Sequence, residues 1–556
     1  MLFAALFLLA ATDLSPASDT LTTLKTELAR AMTLKLEDFP PPYFGVFAID
    51  DAVGADIEAR FGAVVQDKLE PERQLYVDLR VGDYKFDNTA GKAEPMEISF
   101  DETYQPGHLS PVSFDARGLR AALWLIADGQ YKTATAGFFR KKGQRIFQAD
   151  DADKVPSFSH ESALSANEPA QALTWDRAGK AELAAHLSRL FTEAPHVFDH
   201  DVHVLASGHT RYVVNSEGTQ VAWGRRVYGV TLTAYARAPD GTLLQSERSF
   251  YAANEASLPS EAKLTGDVKQ MIADLAALQK AKPAEPYTGP AILEPEAAGV
   301  LFHEALGHRL EGERQKETDD GETFKGKIGQ QVIPDFIDVW DDPSLQKFGS
   351  DAQHQTELNG FYKFDDEGVL AQKVQLVERG VLRNFLLSRT PVEGFAHSNG
   401  HGRSEGILKP EARMGTTMAV ARKSVTTAKL KLLLIAEAKR QGKPYGLILR
   451  DITGGQTSTE TGGYQAFKGS PHMVYQVDVK TGAETLVRSV DLVGTPLSAL
   501  SRILAADDKP AAFNGYCGST SGFVPVSTIA PSLLLSEIEL QRSNKEKQRA
   551  PILPKP

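Results

Sequence analysis

The chain has 556 residues, enough for about three or four structural units at roughly 100–200 residues each. With 42% hydrophobic and 24% charged residues it has an ordinary globular composition, and it is long enough to bury large cores without covalent staples. A formal net charge of −11, with no dense Lys/Arg run ahead of the C-terminal tail, excludes nucleic acid as a partner, and a single cysteine excludes an internal disulfide.

Residues 1–11 (MLFAALFLLAA) form an apolar run too short for a bilayer, which needs about 20 residues. Small and polar residues follow up to Ser18, so residues 1–18 fit a secretory signal peptide cleaved near Ala17 to Asp19, although no Lys or Arg precedes the run. Export to the periplasm or outside the cell is the expectation; a buried N-terminal helix on a cytoplasmic protein is the alternative. No later segment is apolar enough for a membrane span.

Residues 19–285 read as a mixed α/β domain. Leu75, Val77, Leu79 and Val81 alternate with polar neighbours, the period of a half-buried strand. Leu183, Leu187 and Leu190 recur at helical spacing behind a capping Asp176. From Arg211 to Tyr251 the pattern turns to strands. Turns fall at Asn215-Ser216-Glu217-Gly218 and at Pro239-Asp240-Gly241. Val268, Ile272, Leu275 and Leu278 then mark one stripe of a helix. Residues 281–290 carry three prolines and no period, which makes them the linker candidate.

Residues 286–540 read as a β-rich C-terminal domain, giving an α+β chain overall, and the charged residues 541–556 read as a disordered tail. Pro295 suits the first position of a helix that runs into His303, with Glu294 and Glu296 at its positive end. A hairpin is expected around Glu378-Arg379-Gly380, and residues 424–442 read as a helix with a serine cap and a terminal glycine.

The segment Leu301-Phe302-His303-Glu304-Ala305-Leu306-Gly307-His308 carries the chemistry. Metallopeptidases place two histidines four apart with a Glu beside the first, so that both rings face one metal. Here the spacing is five, and at about 100° per residue an α-helix would turn the second ring about 140° away. A metal site therefore demands a π-type bulge or an unwound turn, which Gly307 makes cheap. The competing reading is two unrelated histidines at a helix end, one buried and one solvated. A zinc site also needs a third ligand, and thiolate with imidazole selects zinc. The lone Cys517 sits between Gly515 and Gly518, which lets its backbone approach another element. Spacing alone does not bring that sulfur to His303, and a lone cysteine is by default a small core residue.

Several motifs in order resemble the TldD/PmbA family of metallopeptidases, historically labelled modulators of DNA gyrase. They are Tyr287-Thr288-Gly289-Pro290, Leu293-Glu294-Pro295-Glu296-Ala297-Ala298 leading into the HExxxH segment, and Asp365-Asp366-Glu367-Gly368. Asn399-Gly400-His401-Gly402-Arg403-Ser404-Glu405, Gly454-Gly455-Gln456 and Cys517-Gly518 with Val524-Pro525-Val526 follow, and Asn215-Ser216-Glu217-Gly218 lies in the first half. The resemblance implies Zn2+ held by His303, His308 and Cys517, water activated by Glu304, and hydrolysis of unfolded or small peptides. It implies the catalytic, HExxxH-bearing type, in a homodimer or in a heterodimer with a PmbA-like paralogue. Ser521 departs from the family's glycine four residues after the cysteine, and a signal peptide departs from its cytosolic members. A non-catalytic peptide-binding subunit and a different metal-assisted amidase are the rival readings. For Arg403, Glu405 and Arg413, substrate binding competes with a structural ion pair; Asp365, Asp366 and Glu367 read as an acidic turn, and His397 and His401 as solvated.

Overall fold

The structure, a computed structural model, describes residues 17–36, 38–89, 115–145, 155–316, 324–349, 355–457, 467–494, 496–543, 547–549 and 551–553. The apolar run read as a signal peptide lies outside the described residues.

The first half is built on one twisted sheet. After helix α1 (Ala17–Ala31), strands β1 (Pro42–Arg60) and β2 (Ala63–Val81) form a long antiparallel ribbon, followed by helix α2 (Ala116–Arg145) and the short β3 (Ser165–Asn167). Helix α3 (Arg177–Thr192) starts at Asp176, whose carboxylate accepts the Gly179 N–H, as the sequence reading expected. Strands β4 (Val197–Asn215), β5 (Gln220–Arg237) and β6 (Leu243–Ala252) make a meander, and helix α4 (Glu261–Lys280) closes the half. Among the described residues the strand order is β2-β1-β4-β5-β3, with β6 also on β5. Phe47 and Ile49, with Leu75, Val77 and Leu79, pack against α1 and α2. Ten residues on, Ile57 and Ala59 pack against α3 and α4. The alternation of these strands puts such residues on one face.

The expected linker is instead largely strand. Lys282–Pro283 is β7 and Tyr287–Leu293 is β8, both inside an eight-stranded sheet. Helix α5 (Pro295–Leu301) follows, then β9 (Ile337–Asp341) and a small ladder of β10 (Lys347–Phe348) with β11 (Thr356–Glu357). Strands β12 (Val374–Glu378) and β13 (Val381–Leu382) form the expected hairpin, with Arg379 and Gly380 both at positive φ (48° and 75°). Next come β14 (Gly402–Arg403), β15 (Glu411–Ala412), β16 (Thr416–Ala421) and helix α6 (Thr427–Arg440). The cap of α6 is Thr426, not Ser424: its hydroxyl accepts the Lys429 N–H.

Strands β17 (Tyr445–Thr457), β18 (Phe467–Asp478), β19 (Glu484–Arg488) and β20 (Val490–Gly494) precede helix α7 (Pro496–Ser501) and β21 (Ile503–Ala506). Strands β22 (Ala511–Ser519), β23 (Gly522–Ala530) and β24 (Leu533–Arg542) end the fold. One sheet runs β13-β12-β9-β16-β23-β22, which leaves β22 at its edge. The other runs β17-β8-β24-β20-β18-β19-β7, and since β17 also pairs with β18 its ladders close on themselves. One large apolar core, including Leu301, Phe302 and Leu306, lies between these sheets. The tail is ordered in part: Gln541 and Arg542 belong to β24, and Gln548 donates its N–H to Gly241 O. No helix among the described residues is long and apolar enough to cross a membrane.

Candidate metal centre

Pro295 opens α5 at the position where a missing N–H costs nothing, and Ala297, Ala298, Leu301, Phe302, Ala305 and Leu306 anchor the helix in the core. At Phe302–Leu306 the helix widens into one π turn, with the Gly307 N–H reaching Phe302 O, and it then tightens to 3-10 over Gly307–Leu310. Residues five apart thereby face one another as residues four apart do in an α-helix. The rings of His303 and His308 meet edge to face with centroids 5.0 Å apart. This is the distortion that the spacing demanded. Gly307 serves it differently from expected: its φ of −56° is ordinary helix, but a β-carbon there would lie 2.0 Å from Met414 Sδ. Space, not backbone freedom, selects glycine.

Cys517 comes from edge strand β22, paired with Val524 across the ladder to β23. Its Sγ is 3.2 Å from His303 Nε2 and 3.5 Å from His308 Nε2. The three donor atoms all lie within 4.8 Å of one another. In a tetrahedral zinc site, Zn–N near 2.0–2.1 Å and Zn–S near 2.3 Å put nitrogen and sulfur about 3.5 Å apart. The donor set fits zinc in both chemistry and spacing.

Glu304 is nearly buried, with Oε2 3.9 Å from His308 Nε2. Val300, His303 and Glu304 line a cavity of about 1040 Å3 together with Arg248 and Tyr251 of β6 and Tyr516 of β22. Tyr251 and Tyr516 touch edge to face at 5.6 Å, so both halves of the chain shape this space.

A charged layer supports the ligands. Glu311 Oε1 accepts from His308 Nδ1 at 3.1 Å, which leaves Nε2 to face the sulfur. Arg314 Nε donates to Glu311 Oε2 at 2.7 Å. Buried Arg309 donates to Glu304 O at 2.8 Å. Burial opposes charge on His308, but the Glu311 carboxylate and the Cys517 thiolate outweigh it and push its pKa up to about 10. Burial likewise opposes the thiolate, yet the two imidazoles hold Cys517 well below the ordinary thiol range. The lowered thiol pKa favours the thiolate, the form that binds metal. Glu311 was not singled out in the sequence, although an acidic residue three positions after His308 was a usable signal.

None of Arg403, Glu405 and Arg413, for which substrate binding competes with a structural ion pair, lines this cavity. Arg403 is buried over the Tyr362 ring and donates to Met414 O at 2.6 Å. Glu405 accepts the Phe523 N–H at 2.9 Å, beside the turn between β22 and β23. Arg413 sits against Cys517, with Nη2 2.6 Å from its carbonyl and 3.1 Å from Sγ. His401 is not solvated: it is fully buried between Asp341 and Asn399, because Asp341 offers a carboxylate partner inside the fold. His397 is exposed, as expected. Asp365 accepts the N–H groups of Glu367 and Val369, so the acidic turn forms with its first carboxylate inward. Ser521 is buried, and its hydroxyl accepts from Arg413 Nη1 at 2.7 Å, a contact that glycine could not make.

Comparison with known proteins finds relatives of the second half of the chain. The profile of the family described as PmbA/TldA metallopeptidase C-terminal domain matches residues 286–542. A metalloprotease of Methanocaldococcus jannaschii is 31% identical over 251 residues, 45% of this chain and 50% of the relative. A metalloprotease TldD homolog of Haemophilus influenzae is 28% identical over 259 residues, 46% of this chain and 48% of the relative. A zinc metalloprotease TldD homolog of Saccharolobus solfataricus is 25% identical over 285 residues, covering 49% and 57%. The chain thus spans about half the length of the curated relatives it matches. In fold it is similar to TldE of Thermococcus kodakarensis, with a TM-score of 0.58 at 13% identity, over 94% of this chain and 99% of that one.

Proposed function

Because residues 286–542 belong to the PmbA/TldD metallopeptidase family, we propose that this protein is a zinc-dependent peptidase of the TldD-like catalytic type, acting on unfolded or small peptides. The observation that carries the reading is the approach of the Cys517 sulfur to both imidazoles, with Glu304 beside them on a cavity wall. His303 Nε2, His308 Nε2 and Cys517 Sγ would hold the ion and leave a fourth position open.

When bound, zinc supplies a Lewis acid that makes a coordinated water nucleophilic near neutral pH and polarises a carbonyl. The remaining work belongs to the protein. Glu304 takes the proton of the attacking water and returns it to the leaving amine, bridging the two steps as general base and then acid. Glu311 fixes the tautomer of His308 so that its lone pair stays turned to the ion. The cavity gives a peptide segment room to lie beside these groups.

We propose that it works as a homodimer or in a pair with a PmbA-like paralogue, and the apolar run at residues 1–11 supports export. Metal content and hydrolysis of an unfolded polypeptide, measured before and after chelation, test the reading. Stoichiometric zinc with cleavage lost on chelation and restored by zinc is the expected result. Full metal occupancy without cleavage of any peptide would leave a peptide-binding subunit instead.

A further inference from the structure

Arg413 is fully buried, and a buried guanidinium must find compensation for lost water. It finds it around one sulfur. Nη2 donates to Cys517 O at 2.6 Å and to Sγ at 3.1 Å, while Nη1 donates to Ser521 Oγ at 2.7 Å and to Gly522 O at 3.2 Å. Its Nε stands 3.5 Å from Glu311 Oε1, the carboxylate that also holds His308. One planar fork therefore spans the cysteine, the turn after it and the support of the second imidazole, which an ammonium of similar charge could not do.

We propose that Arg413 is a positioning residue of the metal centre that braces the Cys517 thiolate and draws charge away from it. The inference rests on the metal-binding reading above. A thiolate gives its metal more charge than an imidazole does and so blunts the Lewis acid. A charge-assisted N–H···S contact from a cation withdraws part of that density. Glu311 acts on the other ligand in the opposite sense, since accepting the hydrogen bond of Nδ1–H makes Nε2 of His308 the stronger lone-pair donor. The two ligand types are thereby evened out: the imidazole is strengthened and the sulfur weakened. Ser521 supplies the hydroxyl that fixes the other arm of the fork.

The test is cobalt substitution in the full-length chain, read by the thiolate-to-cobalt charge-transfer absorption and by Co2+ titration, for wild type, Arg413→Met and Arg413→Lys. Wild type should bind one Co2+ with a thiolate band. Arg413→Met should move that band to longer wavelength, since the sulfur electrons are no longer held by the cation; because Cys517 also loses its brace, which outweighs the stronger sulfur donor, Co2+ binding should weaken by roughly ten- to a hundredfold. Arg413→Lys should fall between the two, and it alone decides if the methionine variant does not fold. A wild-type protein that takes up no Co2+ would sink the metal reading itself. Wild-type binding with a band, unchanged in position and affinity in the folded variants, would overturn the role of Arg413 while leaving the metal reading intact.

Discussion

Gly455 lies so close against Glu304 that a β-carbon on it would meet Glu304 Cγ at 2.6 Å and Oε1 at 3.0 Å. Val300 Cγ1, at 2.8 Å, closes the other side. Strand β17 therefore acts as a wall that fixes where the carboxylate can stand. Gly455→Ala should displace Glu304 without touching the three ligand atoms. The expected outcome is a kcat loss of roughly a hundredfold, the usual effect of an ångström-scale misplacement, with metal content unchanged. Activity equal to wild type would show that the wall does not set the position of Glu304.

Glu304→Gln keeps the shape of the side chain but cannot take up a proton. Peptide cleavage should fall by roughly 10²–10⁴ while zinc stays stoichiometric, checked by steady-state rates beside elemental analysis. Metal loss in this variant would assign Glu304 to the ligand set instead.

Cys517→Ser replaces the soft ligand by a weak one. Metal content should drop below stoichiometric, and the thermal stabilisation that added zinc gives the wild type should vanish. That stabilisation amounts to about 2.7 kcal/mol at a free metal level a hundredfold above Kd. A serine variant that still gains the full zinc-dependent shift in Tm would remove Cys517 from the site.

Gly307→Ala should destabilise the fold by roughly 1–3 kcal/mol, because the new methyl meets Met414 Sδ rather than because the backbone is strained. Adding Met414→Ala should relieve part of that cost in a double-mutant cycle by chemical denaturation. Strictly additive losses would mean that the clash is not the cause.

Glu367 gives a pH signature. Burial raises its pKa, and the Arg389 guanidinium only partly offsets this. The folded chain thus keeps the proton to a higher pH than the unfolded chain, which releases it near 4.3. This contribution to stability is full below the unfolded value and is lost as pH rises through the folded one. Glu367→Gln can still accept the Arg389 N–H and cannot ionise. Relative to wild type it should gain roughly 1–2 kcal/mol between pH 4 and pH 8. Parallel stability curves would argue against a displaced titration.

Much of the ligand set was readable because the HExxxH spacing is a geometric demand, and the π turn at Phe302–Leu306 answers it. Turns at Asn215–Gly218 and Arg379-Gly380 were readable for a similar reason, since each needs residues that tolerate positive φ. What could not be read depends on distant partners. Arg413 is 104 residues from Cys517, and an arginine in a charged loop gives no local sign that it will be buried against a sulfur. His401 looks solvated until Asp341, 60 residues away, closes over it. The linker prolines hid two strands because their pairing partners, β17, β19 and β24, come roughly 150 residues or more later in the chain.

Two of the three donors ride on consecutive turns of one buried helix end, while the third belongs to a ribbon joined to its sheet along one side only. A cation gripped between His303 and Cys517 would close a loop of 214 residues, so it would rivet the ribbon to the helix as well as serve chemistry. Losing the ion should therefore loosen the rim of the chamber before the rest of the molecule responds, with faster amide exchange along residues 511–519.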